Sequence, residues 1–178
     1  QVTNPPIDSL RESKVMSLKT RFGNLGNILD FDNLIEEDIY VLDSPVLTNS
    51  QFNKFKKFFS KKIKVIDCTF EVKSSLKDRI EEIKKDSETA VREGSTTLIL
   101  SDKNISNERA SIPSILAVGA VQSYLVKLGL RGYCSLNVES SDTLDTHSFA
   151  ILIGVGATTV NPYLAIDSIY QRFEKKLF

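Results

Sequence analysis

The sequence predicts an α/β fold of repeated βα units on a parallel sheet, partial (β/α)8-barrel-like, preceded by an extended N-terminal arm. Three observations predict it. From residue 39 onward, short β-branched runs alternate with helix-length amphipathic runs, the signature of βαβ units. The run TTLILSD has an unbroken apolar core, which suits a strand covered on both faces. The first 38 residues share neither pattern: they carry Asn4-Pro5-Pro6 and two glycines and read as an arm packed on a neighbour. The expected organisation is therefore an arm at 1–38 and an α/β domain at 39–178, the whole being a segment of a longer multidomain chain.

The elements follow in order. DIYVLDSP reads as a first strand, closed by Asp43-Ser44-Pro45. NSQFNKFKKFF places Phe52, Phe55 and Phe59 at helical spacing, with Asn49 or Ser50 as the cap. KIKVIDCTF is a second strand, rich in β-branched residues. In SSLKDRIEEIKKDSETAVREG, Leu76, Ile80, Ile83, Ala90 and Val91 keep the 3.6 period. Ser74 or Ser75 caps that helix, Gly94 ends it, and Lys77–Glu81 and Glu81–Lys85 pair along its solvated face. TTLILSD is the third strand. RASIPSILAVGAVQSYLVKLG reads as one long apolar helix with Pro113 in its first turn and Gly129 past its end. YCSLNVES, HSFAILIGVG, ATTVN and PYLAIDSIYQRFEKK are then strand, helix, strand and helix.

Composition narrows the function. Twenty-three basic residues balance 23 acidic ones, so the chain lacks the positive footprint of a nucleic-acid or polybasic membrane binder. Apolar stretches reach only about ten residues before a breaker, too short to span a bilayer. No signal peptide is visible. Cys68 and Cys134 lie in separate strand-like runs, and one histidine in the chain gives no zinc spacing, so both read as small buried hydrophobes in a reducing compartment rather than a disulfide or metal ligands.

In parallel α/β folds, sites gather at the carboxyl ends of the strands. Those ends carry Asp43-Ser44, Asp67, Ser101-Asp102, Glu139-Ser140 and Asn161, a rim suited to acid–base work or a divalent cation such as Mg²⁺. The same residue types are ordinary strand exits and helix caps, and no lysine or histidine is seen to converge on them. His147, beside Asp142 and Asp145, reads as part of a capped helix start with a partly buried imidazole rather than as a general base. The strand-end contacts expected are thus Asp102, Glu139, His147 and Asn161, with no residue assigned to catalysis, a metal or a cofactor.

The stretch HSFAILIGVGATTVNPY contains the frame of an FMN-phosphate site in a barrel: strand, helix, glycine turn, strand. The phosphate-binding parts are absent. ESSDTL follows the first strand without a glycine, and Pro162, which has no N–H, follows the second. Gly154 and Gly156 then belong to a helix end and a turn.

These features together resemble the central domain of the glutamate synthase large subunit. The match is carried by QVTNPPIDSLRE, MSLKTRFGNLGNIL, LILSDKNISNERASIPSILAVGAV and SLNVES with DTHSFAILIGVGATTVNPYLA, in the family's order over nearly the whole chain. The family's histidine run after AVGAV is Gln122-Ser123-Tyr124 here, its paired histidines are His147-Ser148, and its SGEAR is residues 140–144, so no histidine-based role is carried over.

The resemblance implies a multidomain enzyme that makes two glutamates from glutamine and 2-oxoglutarate. An amidotransferase domain frees ammonia, and a tunnel leads it to a synthase domain with FMN and an iron–sulfur cluster. Electrons come from ferredoxin or NAD(P)H. The central domain joins the two and holds no cofactor, and the Thr-Asn of QVTNPPID, here Thr3 and Asn4, lies at the tunnel's narrow entry. The implied compartment is the bacterial cytoplasm or the plastid stroma. The alternative is a stand-alone (β/α)-type enzyme using the Asp/Glu rim.

Overall fold

The computed structural model describes residues 17–22 and 40–177. Thr3 and Asn4 lie outside them. The chain divides into two compact units, 1–45 and 46–178. In the first, β1 (Thr20–Phe22) pairs antiparallel with β2 (Tyr40–Leu42), Phe22 opposite Tyr40. DIYVLDSP is therefore not the first strand of the parallel series. Its strand is three residues long and takes its partner from the preceding segment.

The second unit alternates as expected. Thr48 and Gln51 form a capping box, side chain to backbone in both directions, that opens α1 (Asn49–Phe58) one residue earlier than the sequence reading placed the cap. Phe52 and Phe55 are buried from this helix with their rings stacked at 5.9 Å. The run KIKVIDCTF splits at Cys68 into β3 (Ile63–Asp67) and β4 (Thr69–Glu71). Helix α2 (Leu76–Arg92) is capped by Ser75 and leads to β5 (Thr97–Ser101). Its surface ion pairs are Arg79–Glu82, Lys84–Glu81 and Arg92–Glu88.

Arg109–Ser111 forms β6, not the start of a helix, and pairs antiparallel with β4. The cause is Pro113. Proline drives the residue before it out of the helical region, so α3 (Ser114–Lys127) cannot begin until Pro113 is passed. A 3₁₀ turn at Arg131–Tyr133 precedes β7 (Ser135–Glu139). Helix α4 (Thr146–Gly154), β8 (Thr159–Asn161) and α5 (Tyr163–Glu174) complete the unit.

Strands β3, β5, β7 and β8 form one parallel sheet in that spatial order, and Val46 adds a parallel bridge to Val160. The fold is α/β, with strand neighbours in chain order as βαβ crossovers dictate. One face presents Ile66, Leu98, Leu100, Leu136, Val138 and Val160. These pack with Ile83, Ala90 and Val91 of α2, Ala117, Val118, Val121 and Leu125 of α3, and Leu152 of α4. Each Leu or Ile buried there contributes about 2 kcal/mol. Cys68 and Cys134 join this core as thiols, and burial pushes the Cys68 thiol up to about 12.

Candidate functional site

Register brings the last residues of the four parallel strands into one row. Asp67 stands beside Ser101, Ser101 beside Glu139, and Glu139 beside Asn161. Side chains alternate along a strand, so this row lies on the face opposite Ile66, Leu100, Val138 and Val160. Two of the strand-end contacts expected from the sequence, Glu139 and Asn161, therefore stand in this row, and a third, Asp102, follows Ser101 just beyond it. Asp43 and Ser44 belong to the other unit.

Glu139 is the centre of the row and is 3% exposed. Lys56 of α1 donates to its Oε1 at 2.7 Å, and Lys103 forms an ion pair with the same oxygen at 2.9 Å. The Ser101 hydroxyl donates to Oε2 at 2.7 Å. Burial alone would raise this carboxyl, but the three donors and the Lys56 charge hold it below the usual range. The sequence reading missed both lysines. Lys103 follows Asp102 directly and so was within reach of inspection. Lys56 comes from a helix 83 residues earlier, and no local pattern marks it.

At one end of the row, Asp67 accepts from the Thr69 amide and hydroxyl at 2.9 and 2.7 Å. Its other oxygen takes Asn104 at 3.0 Å and Arg109 at 3.2 Å. These bonds outweigh burial and depress its carboxyl too. At the other end, Asn161 donates to the Leu47 carbonyl at 3.0 Å and to Asn49 at 2.9 Å, fastening the start of α1 to the sheet.

One residue beyond the row, Asp102 is 2% exposed. It accepts the Ser141 N–H at 2.9 and 3.1 Å and the Ser141 hydroxyl at 2.7 Å, with the Tyr163 hydroxyl nearby. Burial and then the Asp102 charge push the Tyr163 phenol up to about 12. Asp142 accepts the Ser114 N–H at 2.9 Å and the Ser140 hydroxyl at 2.6 Å. Those bonds overcome its burial and lower its carboxyl.

His147 is not part of this cluster. It is exposed, in the first turn of α4, where Asp145 caps by accepting the Ser148 N–H at 2.8 Å. The expectation of a partly buried imidazole is corrected. A capped helix start faces solvent here, and among the described residues no hydrogen bond or ion pair joins the ring to Asp102, Glu139 or Asn161.

The polar row is satisfied from within: among the described residues no buried side-chain nitrogen or oxygen lacks a partner. Nor do three metal-ligating side chains converge among them. The residues present do not fit an FMN phosphate. The Ser141 N–H is held by Asp102, the Ser140 N–H by the Asn161 carbonyl at 3.0 Å, and Pro162 has none to offer. Gly156 ends α4 instead. Its N–H and that of Ala157 close back on Ile153 and Leu152, a Schellman-type cap in which glycine takes φ 121°. No helix among the described residues is long and apolar enough to cross a membrane.

Comparison with known proteins gives one consistent answer. The family described as glutamate synthase central domain matches residues 1–178. The NADPH glutamate synthase large chain of Azospirillum brasilense is 51% identical over 181 residues, 100% of this chain and 12% of that protein. The NADH glutamate synthase of Schizosaccharomyces pombe is 40% identical over 176 residues, covering 95% of this chain and 8% of that protein. The ferredoxin-dependent glutamate synthase of Pyropia yezoensis is 39% identical over 175 residues, 94% of this chain and 11% of that protein. This chain thus spans about a tenth of the length of these relatives. With the whole of its length accounted for by one family, the chain belongs to the glutamate synthase central domains.

Proposed function

We propose that this chain is the non-catalytic central domain of a glutamate synthase that makes glutamate from glutamine and 2-oxoglutarate. It joins an amidotransferase domain to a synthase domain that carries FMN and an iron–sulfur cluster, and it helps line the path of ammonia between them. The arm at 1–38 contacts the neighbouring domains and supplies the gate through Thr3 and Asn4, and the α/β domain at 39–178 is the linker. The observation that carries this reading is the family match from residue 1 to residue 178.

Two further points support it. Relatives named for NADPH, NADH and ferredoxin share this segment at 39–51% identity, so the segment's task is independent of the electron donor. The strand-end carboxylates are also engaged by Lys56, Lys103 and Arg109, which makes the row a brace rather than a set of proton donors.

The test is the full-length protein. Supplied with glutamine, 2-oxoglutarate and one of reduced ferredoxin, NADPH or NADH, it forms glutamate. Absence of glutamate with all three donors, with Mg²⁺-dependent hydrolysis by residues 1–178, contradicts the proposal and favours a stand-alone enzyme of the rim.

A further inference from the structure

The exit of β7 is built to hold an anion, and it already holds one. Ser141 turns both its N–H and its hydroxyl toward a single point, with separations of 2.7 to 3.1 Å. The Tyr163 side chain, from the first residue of α5, lies near this point from the next strand exit. Lys103 stands over the Tyr163 ring at 5.1 Å, adding positive charge beside the cluster. Two polar donors of one residue converging on a buried spot make a small oxyanion cradle. At that spot sits the carboxylate of Asp102, 2% exposed and delivered by the end of β5.

We infer that Asp102 is a built-in anion: its carboxylate fills an oxyanion cradle made by the Ser141 N–H and the Ser141 hydroxyl. The cradle takes a small carboxylate-type oxyanion, and the chain supplies it covalently. Two consequences follow. An external anion cannot enter, so the loop after β7 is closed to phosphate groups by occupancy as well as by the missing glycine. The loop also owes its order to Asp102, because a charge-assisted bond to a backbone N–H is about twice as strong as a neutral one. Asp102 is thus a positioning residue for the loop at 140–145. The inference rests on the reading above that the domain holds no flavin. Binding of FMN to residues 1–178 would sink that reading, whereas the experiment below bears on the cradle alone.

The experiment is chemical rescue in the full-length protein, followed by hydrogen exchange at peptides spanning 138–146. Asp102→Ala removes a carboxylate the size of formate. In the parent, these peptides are protected and indifferent to sodium formate at constant ionic strength. In Asp102→Ala, protection there is lost and returns saturably with formate but not with chloride, while α3 peptides keep parental protection throughout. Lost protection that formate does not restore, with α3 still protected, overturns the inference. So does unchanged protection without formate. If Asp102→Ala unprotects the whole domain, Asp102→Asn decides. That variant keeps the shape and removes the charge, so exchange at 138–146 rises alone; exchange equal to the parent's overturns the inference.

Discussion

A methyl group placed on the Gly156 α-carbon would lie 2.5 Å from the carboxamide carbon of Gln122. Gly156 also holds φ 121°, a conformation that side chains rarely adopt. The contact is pinned by Arg131, which donates to the Gln122 carboxamide, to the Cys134 carbonyl and, at 3.0 Å, to the Gly156 carbonyl. One guanidinium thus joins α3, the start of β7 and the end of α4.

Two independent penalties predict that Gly156→Val destabilises the fold by about 1 kcal/mol or more, and Gly156→Ala somewhat less. Thermal melts check this. An unchanged midpoint would mean that the glycine is kept for something other than backbone geometry and the Gln122 contact.

Arg131→Ala leaves three acceptors without their donor and should cost about 1–3 kcal/mol. Arg131→Lys keeps the charge but only part of the fork, so it should recover less than half of the loss. Denaturant unfolding of the two variants separates these outcomes; equal stability of lysine and parent contradicts the clamp.

Glu139→Ala leaves Lys56 without its partner beside a buried row and should cost about 3 kcal/mol. Lys103→Ala should cost less than about 1 kcal/mol, because that lysine is 49% exposed and its pair is screened by solvent. The order of the two midpoints in urea is the check, and the reverse order contradicts the placement of Glu139 at the centre.

Acid should unfold the domain through two carboxylates of this row and through Asp142 in the loop after β7. Asp67, Glu139 and Asp142 are held below their ordinary values of 3.8, 4.5 and 3.8. A depressed carboxyl contributes stability that is present above its unfolded value and is lost as pH falls through the folded one. The melting midpoint should therefore fall increasingly as pH drops below 4.5. Asp67→Asn combined with Glu139→Gln should flatten that fall. Parallel curves for variant and parent would place the acid sensitivity elsewhere.

Much of this was written in the local pattern. The core strand LILS is buried at every position, as its unbroken apolar run implied, and α2 follows its 3.6 period. What the pattern hid depends on partners far along the chain. Tyr40–Leu42 pairs with residues 20 positions earlier, and Thr69–Glu71 pairs with Arg109–Ser111 across a whole βα unit. These strands are three residues long, too short to show a period. The Thr48–Gln51 box was legible in the sequence, since Thr and Gln stand three apart, whereas the approach of Lys56 to Glu139 exists only after folding. Asp102, Glu139 and Asn161 were named as strand ends; their saturation by neighbours is a tertiary fact.

The central claim is that the arm ahead of this domain gates ammonia, and its most direct test is the stoichiometry of the full-length enzyme carrying Asn4→Ala. A constriction acts through a few fixed polar groups, and a proline restricts the residue before it, which in QVTNPPID is the asparagine proposed for the gate. The account predicts that glutamine consumed no longer matches glutamate made, that Pro5→Ala shows a milder mismatch, and that turnover with free ammonium falls less. A ratio at the parental value, with normal overall activity, would contradict the gate.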